Sequence, residues 1–366
     1  MRLVVKIGSN ILSAKEGGLD ELRMRSIADD VSRVMEAGHE VAVVSSGAVA
    51  AGVGRLGLKR RPSDIRLKQA AAAVGQSQLM WLYEKVFSNN GKKVAQILLT
   101  RDVFTDRARY INSRNTILTL IGLGVVPIIN ENDTVAMDEI RFGDNDQLAA
   151  LVASLLGADR LMILSDVDGL YTSDPRHNPE ARLIPEVSGI TKEMERSAGG
   201  AGSSVGTGGM YSKLLAARIA MSAGISVNII NGRKSGLLMD ILSGKKTHGT
   251  LFRAASGKLP ARKGWIAYGL KAKGRLVLDG GAEEAIVSRG KSLLPSGITR
   301  VEGDFDRGDP VYCVSSSGRR IAKGLSNYSA AEIEKIKGMK TSEIRQALGY
   351  CYSDEVIHRD NMAVLD

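Results

Sequence analysis

Short runs of β-branched and aliphatic residues recur along the first 230 residues of the chain, and segments with helical periodicity separate them. The runs lie at residues 3–7, 41–44, 94–99, 125–129, 161–164 and 225–230. Strands that are almost continuously hydrophobic and alternate with helices are typical of a mostly parallel sheet that is covered on both faces. We therefore predict an α/β fold for this part of the chain, a three-layer αβα sandwich with a mostly parallel sheet.

Two of the intervening helical segments have recognisable boundaries. Asp20 is the predicted N-cap of the first, in which apolar residues recur three and four positions apart before Gly38 ends the helix. A second helical pattern starts near Asp144, and Gly157 ends it. Both segments are long enough to cover a sheet face, which supports the layered architecture.

The pattern changes after about residue 235. Residues 243–257 are rich in Gly, Ser and Lys, and from residue 273 onward short apolar runs alternate with turn signals that contain Gly, Pro and Asp. This pattern predicts a second, small, β-rich domain of about 80 residues. We predict a first domain at 1–256, a linker at 257–272, the β-rich domain at 273–352 and a C-terminal tail at 353–366.

The composition excludes several classes of protein. Two cysteines do not make a disulfide framework, and the sequence has no run of about 18 apolar residues that would span a membrane. Lys6 interrupts the N-terminal apolar run too early for a signal peptide. We therefore expect a cytoplasmic protein that does not bind a membrane. The net charge of +10 suits an anionic small substrate as well as it suits a nucleic acid.

The predicted strands of the first domain end in polar, small or glycine residues. In open parallel sheets, ligands bind outside the carboxyl ends of the strands. Those ends read Lys6-Ile7-Gly8-Ser9-Asn10, Ser45-Ser46-Gly47-Ala48, Asn130-Glu131-Asn132-Asp133 and Ser165-Asp166-Val167-Asp168-Gly169. A purely structural protein could use any turn at these positions, so their convergence predicts a ligand site at this edge of the sheet.

A glycine-rich segment at residues 206–213 is the strongest single indication of phosphate binding. Glycines let backbone N–H groups approach phosphate oxygens, and the helical pattern from Leu214 adds the partial positive charge of a helix N-terminus. Lys213 could reach a transferring phosphoryl group from this position. The structural alternative is a surface loop that ends in a lysine. Lys6, at the end of a strand that looks buried, would likewise place its ammonium group near an anion or a carboxylate. The alternative is a lysine of an edge strand whose ammonium group extends to solvent.

Two literal motif matches do not fit their motifs. Residues 52–57 spell GxGxxG, but their glycines come several residues after the strand-to-helix turn, where a dinucleotide loop would need the first one. Residues 285–292 resemble a Walker A loop but follow a helical pattern rather than a strand. We interpret neither segment as a nucleotide site.

The chain resembles the amino-acid kinase family over nearly its full length. The family motifs are KxGS at 6–9, SSGA at 45–48, AxGQ at 73–76, NENDxV at 130–135, FGDND at 142–146, SDxxGLY at 165–171 and GxGGMxxK at 206–213. The NEND, FGDND and SDVDGLY segments together resemble the members of the family that phosphorylate glutamate. Residues 273–352 resemble a PUA domain, which in other proteins binds RNA.

The resemblance implies an activity and a set of site residues. The activity is ATP-dependent phosphorylation of the L-glutamate side-chain carboxylate to L-glutamyl 5-phosphate, the first step of proline biosynthesis, with Mg²⁺ accompanying ATP. Lys6 and Lys213 would hold the phosphoryl group in transfer, and Asp146 would hold both ammonium groups. The implied glutamate site is Ser46, Asp133 and Asn145. The implied ATP site is Lys6, Ser165, Asp166, Thr207, Gly208, Gly209, Met210, Tyr211, Ser212 and Lys213.

The resemblance also implies partners. The product would be a labile acyl phosphate, so a separate reductase would consume it, and proline would be a feedback inhibitor. A homo-oligomer is the expected assembly.

Two other interpretations of the sequence remain open. One is another amino-acid kinase, acting on N-acetylglutamate or aspartate. The acidic NEND segment favours a substrate with a free ammonium group, which argues against N-acetylglutamate. The other is an RNA-binding protein that acts through the PUA-like domain, although this leaves the strand ends of the first domain without a role.

Overall fold

The structure, a computed structural model, describes residues 1–14, 18–58, 60, 62–100, 102–135, 145–199, 209–244, 248–254, 263, 266–267, 270 and 272–365. The chain divides into two compact units, Met1–Lys258 and Leu259–Asp366. None of the helices in the described ranges is long and apolar enough to cross a membrane.

In the described part of the first unit, eight strands form one sheet with the order β3-β4-β2-β1-β5-β7-β8-β6. The strands are β1 (Arg2–Ile7), β2 (Glu40–Ser45), β3 (Lys93–Leu99), β4 (Val125–Glu131), β5 (Arg160–Ser165), β6 (Glu186–Val187), β7 (Ser226–Asn231) and β8 (Thr250–Phe252). Neighbouring strands are parallel except for β7 and β8, which are antiparallel. The predicted α/β fold with a mostly parallel sheet is confirmed.

Helices connect these strands. They are α1 (Ser9–Leu12), α2 (Glu21–Glu36), α3 (Ala48–Arg55), α4 (Ile65–Ser88), α5 (Asp102–Thr105), α6 (Arg107–Gly122), α7 (Asn145–Leu156), α8 (Lys192–Ser197), α9 (Met210–Ser222) and α10 (Leu237–Leu242). Asp20 caps α2, since its side chain accepts a hydrogen bond from the N–H of Arg23 at 2.9 Å. Gly38 and Gly157 follow α2 and α7 with φ angles of +84° and +61°, which glycine adopts without strain. Asp144, near the predicted start of the second helix, lies outside the described residues.

The central strands supply the core of the first unit. In β1, β2, β4 and β5 every residue after the first is buried. The almost continuous apolar runs of the sequence therefore correspond to strands that are covered on both faces. Lys6 differs from the apolar residues around it in β1, because its side chain is charged although only 3% of its surface is exposed. A charge at this depth requires a partner.

Helices α3 and α4 pack with their backbones in contact. Gly52 in α3 lies against the backbone of Ala71, and Gly75 in α4 lies against the backbone of Ala48. A β-carbon on either glycine would overlap the facing backbone atoms. The GxGxxG match at residues 52–57 therefore begins inside a helix–helix contact, in agreement with its rejection as a dinucleotide loop.

Gly75→Ala is expected to lower the free energy of unfolding by about 2–3 kcal/mol, because the new methyl group overpacks a contact that backbone atoms already fill. Urea denaturation followed by far-UV circular dichroism measures the change. Gly122→Ala is the matched control, since a β-carbon on this last residue of α6 meets no atom of the described residues within 4 Å. Equal stability of the Gly75→Ala variant and the wild type would contradict the backbone contact.

In the described part of the second unit, five strands form a separate sheet with the order β10-β9-β11-β12-β13. The strands are β9 (Gly274–Leu278), β10 (Ile298–Gly303), β11 (Pro310–Val314), β12 (Arg320–Leu325) and β13 (Met362–Val364), and the α-helices are α11 (Gly280–Val287), α12 (Ala330–Ile336) and α13 (Ile344–Leu348). The predicted β-rich second domain is confirmed. Strand β13 lies within residues 353–366, which the sequence pattern placed in a tail. It pairs with β12 and so belongs to the sheet. The other predicted boundaries stay predictions.

Lys323 on β12 is buried, with 2% of its surface exposed. Its Nζ donates a hydrogen bond to the backbone oxygen of Ala267 at 3.1 Å and another to the backbone oxygen of Leu270. Burial lowers the pKa of Lys323 to about 8, and the nearby charge of Arg320 acts in the same direction.

Lys323→Met is expected to remove a pH dependence from the stability of the second unit. Because the pKa of Lys323 is about 8 in the folded unit and ordinarily 10.5, the unfolded chain binds more protons between these values. Stability therefore rises with pH over that window, by about 1–3 kcal/mol relative to the variant. Urea denaturation at about pH 8 and about pH 10 measures the difference. The exposed Lys335→Met is the control. Equal slopes for the wild type and Lys323→Met would contradict the lowered pKa.

Candidate active site

Three elements bring one carboxylate and two ammonium groups together. Strand β1 supplies Lys6, the first turn of α7 supplies Asp146, and the first turn of α9 supplies Lys213. Lys6 Nζ forms an ion pair with Asp146 Oδ1, and Lys213 Nζ donates to Asp146 Oδ2 at 3.1 Å. Asp146 is 0% exposed and Lys213 only 5%. These three groups together carry one net positive charge, which suits a bound anion.

Two opposing effects set the pKa of Asp146. Burial acts to raise the pKa, because it removes water from the carboxylate. The charges of Lys6 and Lys213, together with their hydrogen bonds, outweigh burial and lower the pKa to about 2. Asp146 is therefore ionised at neutral pH and orients both lysines.

Ser212 adds a further donor to the same carboxylate. Its Oγ donates to Asp146 Oδ2 at 3.1 Å, the oxygen that also accepts from Lys213. The resemblance implied an ATP-binding role for Ser212, whereas the structure places its hydroxyl on Asp146. Sequence reasoning missed this contact because 66 residues separate the two side chains.

Gly8 lets the end of β1 approach β5 closely. Its N–H donates to the backbone oxygen of Leu164 at 3.1 Å. A β-carbon on Gly8 would lie 3.3 Å from that oxygen and 3.7 Å from Lys6 Nζ. A β-carbon at this position would therefore press on the backbone oxygen of Leu164 and make ordinary contact with Lys6.

A second polar cluster lies where β2, β4 and α7 meet. Asn145 Nδ2 donates to the backbone oxygen of Ser45 at 2.9 Å and to Ser46 Oγ at 3.0 Å. The same amide nitrogen lies 2.9 Å from Asn130 Oδ1, which accepts from it. Ser46 and Asn145, two residues of the implied glutamate site, are therefore in direct contact. The third, Asp133, lies two residues beyond β4 with its side chain half-buried.

The polar cluster continues into α4. Asn130 Nδ2 donates to Gln76 Oε1 at 2.9 Å. One further pair, Tyr83 Oη and Ser45 Oγ, lies 2.7 Å apart in the buried interior. Burial raises the pKa of Tyr83 well above its usual range, so its hydroxyl stays protonated. Sequence reasoning placed Ser45 and Asn130 at the polar strand ends, but it assigned none of these four residues to the glutamate or ATP site, although the AxGQ motif contains Gln76.

Ser165 and Asp166 lie at the carboxyl end of β5, beside the end of β1. Ser165 Oγ donates to Asp166 Oδ1 at 3.2 Å, and Asn10 Nδ2 donates to Asp166 Oδ2 at 2.9 Å. Partial burial acts to raise the pKa of Asp166, but these hydrogen bonds outweigh it and hold the pKa below its usual value. Asn10 was missed as a site residue, although it ends the polar strand end that begins at Lys6.

Part of the predicted phosphate-binding segment lies within the described residues. Gly209 precedes α9 as its N-cap. The first turn of the helix is Met210, Tyr211, Ser212 and Lys213. Thr207 and Gly208, the other predicted ATP-site residues of this segment, lie outside the described residues. Lys213 therefore occupies the start of a helix, where the helix dipole favours an anion.

Family models match both units of the chain. Residues 1–231 match the amino acid kinase family, and residues 274–348 match the PUA domain. The first match covers more than half of the sequence. The chain belongs to the amino acid kinase family.

Curated relatives match the whole chain. Glutamate 5-kinase from Geobacter sulfurreducens is 52% identical over 364 residues, which cover 100% of this chain and 97% of the relative. Glutamate 5-kinase from Thermoanaerobacter pseudethanolicus is 49% identical over 366 residues, which cover 100% of this chain and 98% of the relative. Within its family, the chain is thus similar to glutamate 5-kinases from end to end. Among solved structures, UMP kinase from Bacillus anthracis aligns with a TM-score of 0.48 and 17% identity, over 70% of this chain and 96% of that chain.

Asp146→Asn is expected to lower the free energy of unfolding by about 3 kcal/mol at neutral pH, because it leaves two buried ammonium groups without their carboxylate. The folded pKa of Asp146 is lowered from 3.8 to about 2, so its contribution is present above about pH 4 and lost as pH falls toward 2. The deficit of the variant should shrink over that window. Urea denaturation across this pH range measures it.

The matched control is Glu36→Gln, which removes an exposed carboxylate that lies 3.8 Å from Lys92. Exposed ion pairs contribute about 0–1 kcal/mol, so this variant should stay close to the wild type. A deficit in Asp146→Asn no larger than that of the control would contradict the buried pairing.

Proposed function

We propose that the chain transfers the γ-phosphoryl group of ATP to the side-chain carboxylate of L-glutamate, which gives L-glutamyl 5-phosphate for proline biosynthesis. The observation that carries the proposal is the buried carboxylate of Asp146, which holds Lys6 and Lys213 next to the polar cluster around Asn145. The names of the relatives that match the whole chain support glutamate as the acceptor.

The chemistry of the acceptor explains why the site needs cations rather than a base. A side-chain carboxylate is already ionised at neutral pH, so no proton has to be removed before it attacks phosphorus. The difficulty is that two anions must meet and that negative charge spreads over the phosphoryl oxygens in the transition state. Positioned positive charge addresses both requirements.

In this proposal Lys6 and Lys213 supply that charge from two sides of the phosphoryl group. Each ammonium group is oriented by a different oxygen of Asp146, so both stay in place while the phosphoryl group moves. Ser212 steadies the carboxylate itself. The lysines are therefore proposed to contact the phosphoryl group, and Asp146 is proposed to align the lysines.

We assign the recognition of glutamate to Ser46, Asp133 and Asn145. The free ammonium group of glutamate suits an acidic side chain, which is the proposed role of Asp133. The hydroxyl of Ser46 and the amide of Asn145, 3.0 Å apart, suit the carboxylate and ammonium groups of one amino acid. An acetylated substrate would lack the positively charged ammonium group that Asp133 is proposed to bind.

We assign ATP to Ser165, Asp166 and the segment from Thr207 to Lys213, with Lys6 at the phosphoryl group. Magnesium usually binds through one or two protein carboxylates together with substrate phosphates. Asp166 fits this pattern, because its pKa is lowered and two side chains hold its oxygens. Among the described residues no group of three or more candidate ligands forms a protein cage for a metal. Bound Mg²⁺ would neutralise charge on the nucleotide phosphates.

We further propose a cytoplasmic reaction with a separate reductase that consumes the labile acyl phosphate. Proline is the proposed feedback inhibitor, and the chain is proposed to act as a homo-oligomer. The PUA unit is proposed to be auxiliary to catalysis. A salt-dependent affinity for RNA would instead support a role of that unit in RNA binding.

ATP-dependent formation of a hydroxamate tests the reaction, because hydroxylamine traps an acyl phosphate. Glutamate, aspartate and N-acetylglutamate are compared as acceptors, with and without proline. The proposal expects the highest kcat/KM with glutamate and inhibition by proline. A higher kcat/KM with aspartate or N-acetylglutamate would overturn glutamate as the substrate.

Lys6→Ala and Lys213→Ala are each expected to lower kcat in this assay by about 100-fold or more, the scale for the loss of one positioned electrostatic group. Lys85→Ala is the matched control, since Lys85 pairs with Glu21 at the surface and is 43% exposed. Its kcat should stay within about twofold of the wild type. Turnover near the wild-type value in either active-site variant would remove the lysines from the mechanism.

A further inference from the structure

A chain of amide hydrogen bonds connects α4 to the proposed glutamate site. Gln76 Oε1 accepts from Asn130 Nδ2 at 2.9 Å, and Asn130 Oδ1 accepts from Asn145 Nδ2 at 2.9 Å. Asn145 Nδ2 also lies 3.0 Å from Ser46 Oγ and 2.9 Å from the backbone oxygen of Ser45, so its two N–H groups are shared among three acceptors. Three side-chain amides, joined one to the next by hydrogen bonds, thus link α4, which lies outside the ion-pair cluster, to the hydroxyl of Ser46.

The direction of this chain matters for recognition. An amide has a donor end and an acceptor end, and each link fixes which end faces which neighbour. With its amino group turned to Asn130, Ser46 and the backbone oxygen of Ser45, Asn145 keeps its carbonyl oxygen for an ammonium group. Because Ser46 Oγ accepts from Asn145, its own O–H can donate to a carboxylate. The orientation seen here therefore matches the two charged groups of a free amino acid.

Gln76 fixes the far end of the chain. If Asn130 turned over, its carbonyl oxygen would face Gln76 Oε1 and two acceptors would oppose each other. The N–H of Glu131 donates to Asn130 Oδ1 at 2.9 Å and favours the same orientation from the other side. Among the described residues, no hydrogen-bond partner lies near Gln76 Nε2, so the oxygen is the atom of Gln76 that acts.

The helix that carries Gln76 is held firmly in place. The neighbouring Gly75 lies against the backbone of Ala48, which follows the Ser46 turn. Tyr83, two turns along the same face of α4, is hydrogen-bonded to Ser45 at 2.7 Å. Helix α4 therefore contacts α3 through Gly75 and the end of β2 through Tyr83, and these contacts hold the backbone of Gln76 in place.

We propose that Gln76 is a positioning residue for the amino-acid acceptor. Its Oε1 orients Asn130, which orients Asn145 and Ser46, so that the site selects a substrate with a free ammonium group beside a carboxylate. The inference rests on the proposed function, because glutamate must be the acceptor. Gln76 itself acts through Asn130 and need not touch the substrate.

The test compares two variants of Gln76 in the hydroxamate assay. Gln76→Met keeps the length of the side chain but loses the acceptor oxygen, and Gln76→Glu keeps acceptor oxygens at the same position. We expect Gln76→Met to raise the KM for glutamate about tenfold, the scale for one lost buried hydrogen bond, and to leave the KM for ATP within about twofold. The KM of Gln76→Glu for glutamate should lie close to the wild-type value, because its carboxylate can still accept the hydrogen bond from Asn130. A KM does not depend on the fraction of enzyme that is folded, so reduced stability does not obscure the result.

Gln78→Met is the matched control, a half-buried glutamine two positions along the same helix and outside the amide chain. Its KM for glutamate should stay within about twofold of the wild type. A Gln76→Met variant with an unchanged KM for glutamate would overturn the inference, as would a parallel rise in the KM for ATP. Failure of the wild type to phosphorylate glutamate would instead refute the proposed function, so the two failures are distinguishable.

Discussion

A single buried carboxylate organises the site on which the rest of the first unit converges. An unpaired charge at the depth of Asp146 would be strongly destabilising, and it is stable here because Lys6, Lys213 and Ser212 all bind it. The three partners come from a strand and a helix that are far apart in sequence. The ion pairs therefore tie the packing of β1, α7 and α9 to the positions of the two ammonium groups, so folding and the arrangement of the lysines depend on the same contacts.

The start of α7 joins the two halves of the site. Asn145 binds the polar cluster around Ser46, and the next residue, Asp146, binds the lysines. Because consecutive helical residues point about 100° apart, the start of α7 contacts the polar cluster and the lysines at the same time. A rotation of α7 would displace the amide of Asn145 and the carboxylate of Asp146 together. In the proposed mechanism, the backbone of one helix therefore sets the spacing between the acceptor and the phosphoryl group.

The sequence predicted the parts of this structure that depend on local pattern. Apolar runs located the central strands, and Asp20 and Gly38 marked the ends of α2. Because ligands bind at the carboxyl ends of parallel strands, the sequence also predicted that Lys6 lies at the ligand site. The parts that were missed depend on contacts over long separations, such as Asn130 with Gln76, 54 residues apart. Strand β13 was also missed, because three residues are too few to show an alternating pattern. Helical periodicity does not reveal which polar residue of a helix enters a hydrogen-bond network.

The contact between α3 and α4 constrains how this sequence can diverge. Much of the exposed face of α4, including Val74 and Trp81, can change without touching another backbone. A side chain gained at Gly52 or Gly75 would instead push the two helices apart and carry Gln76 away from Asn130. A substitution at either glycine would therefore disturb the helix packing and the proposed positioning by Gln76 in one step. A change elsewhere that widened the helix pair would make room for a side chain at either position.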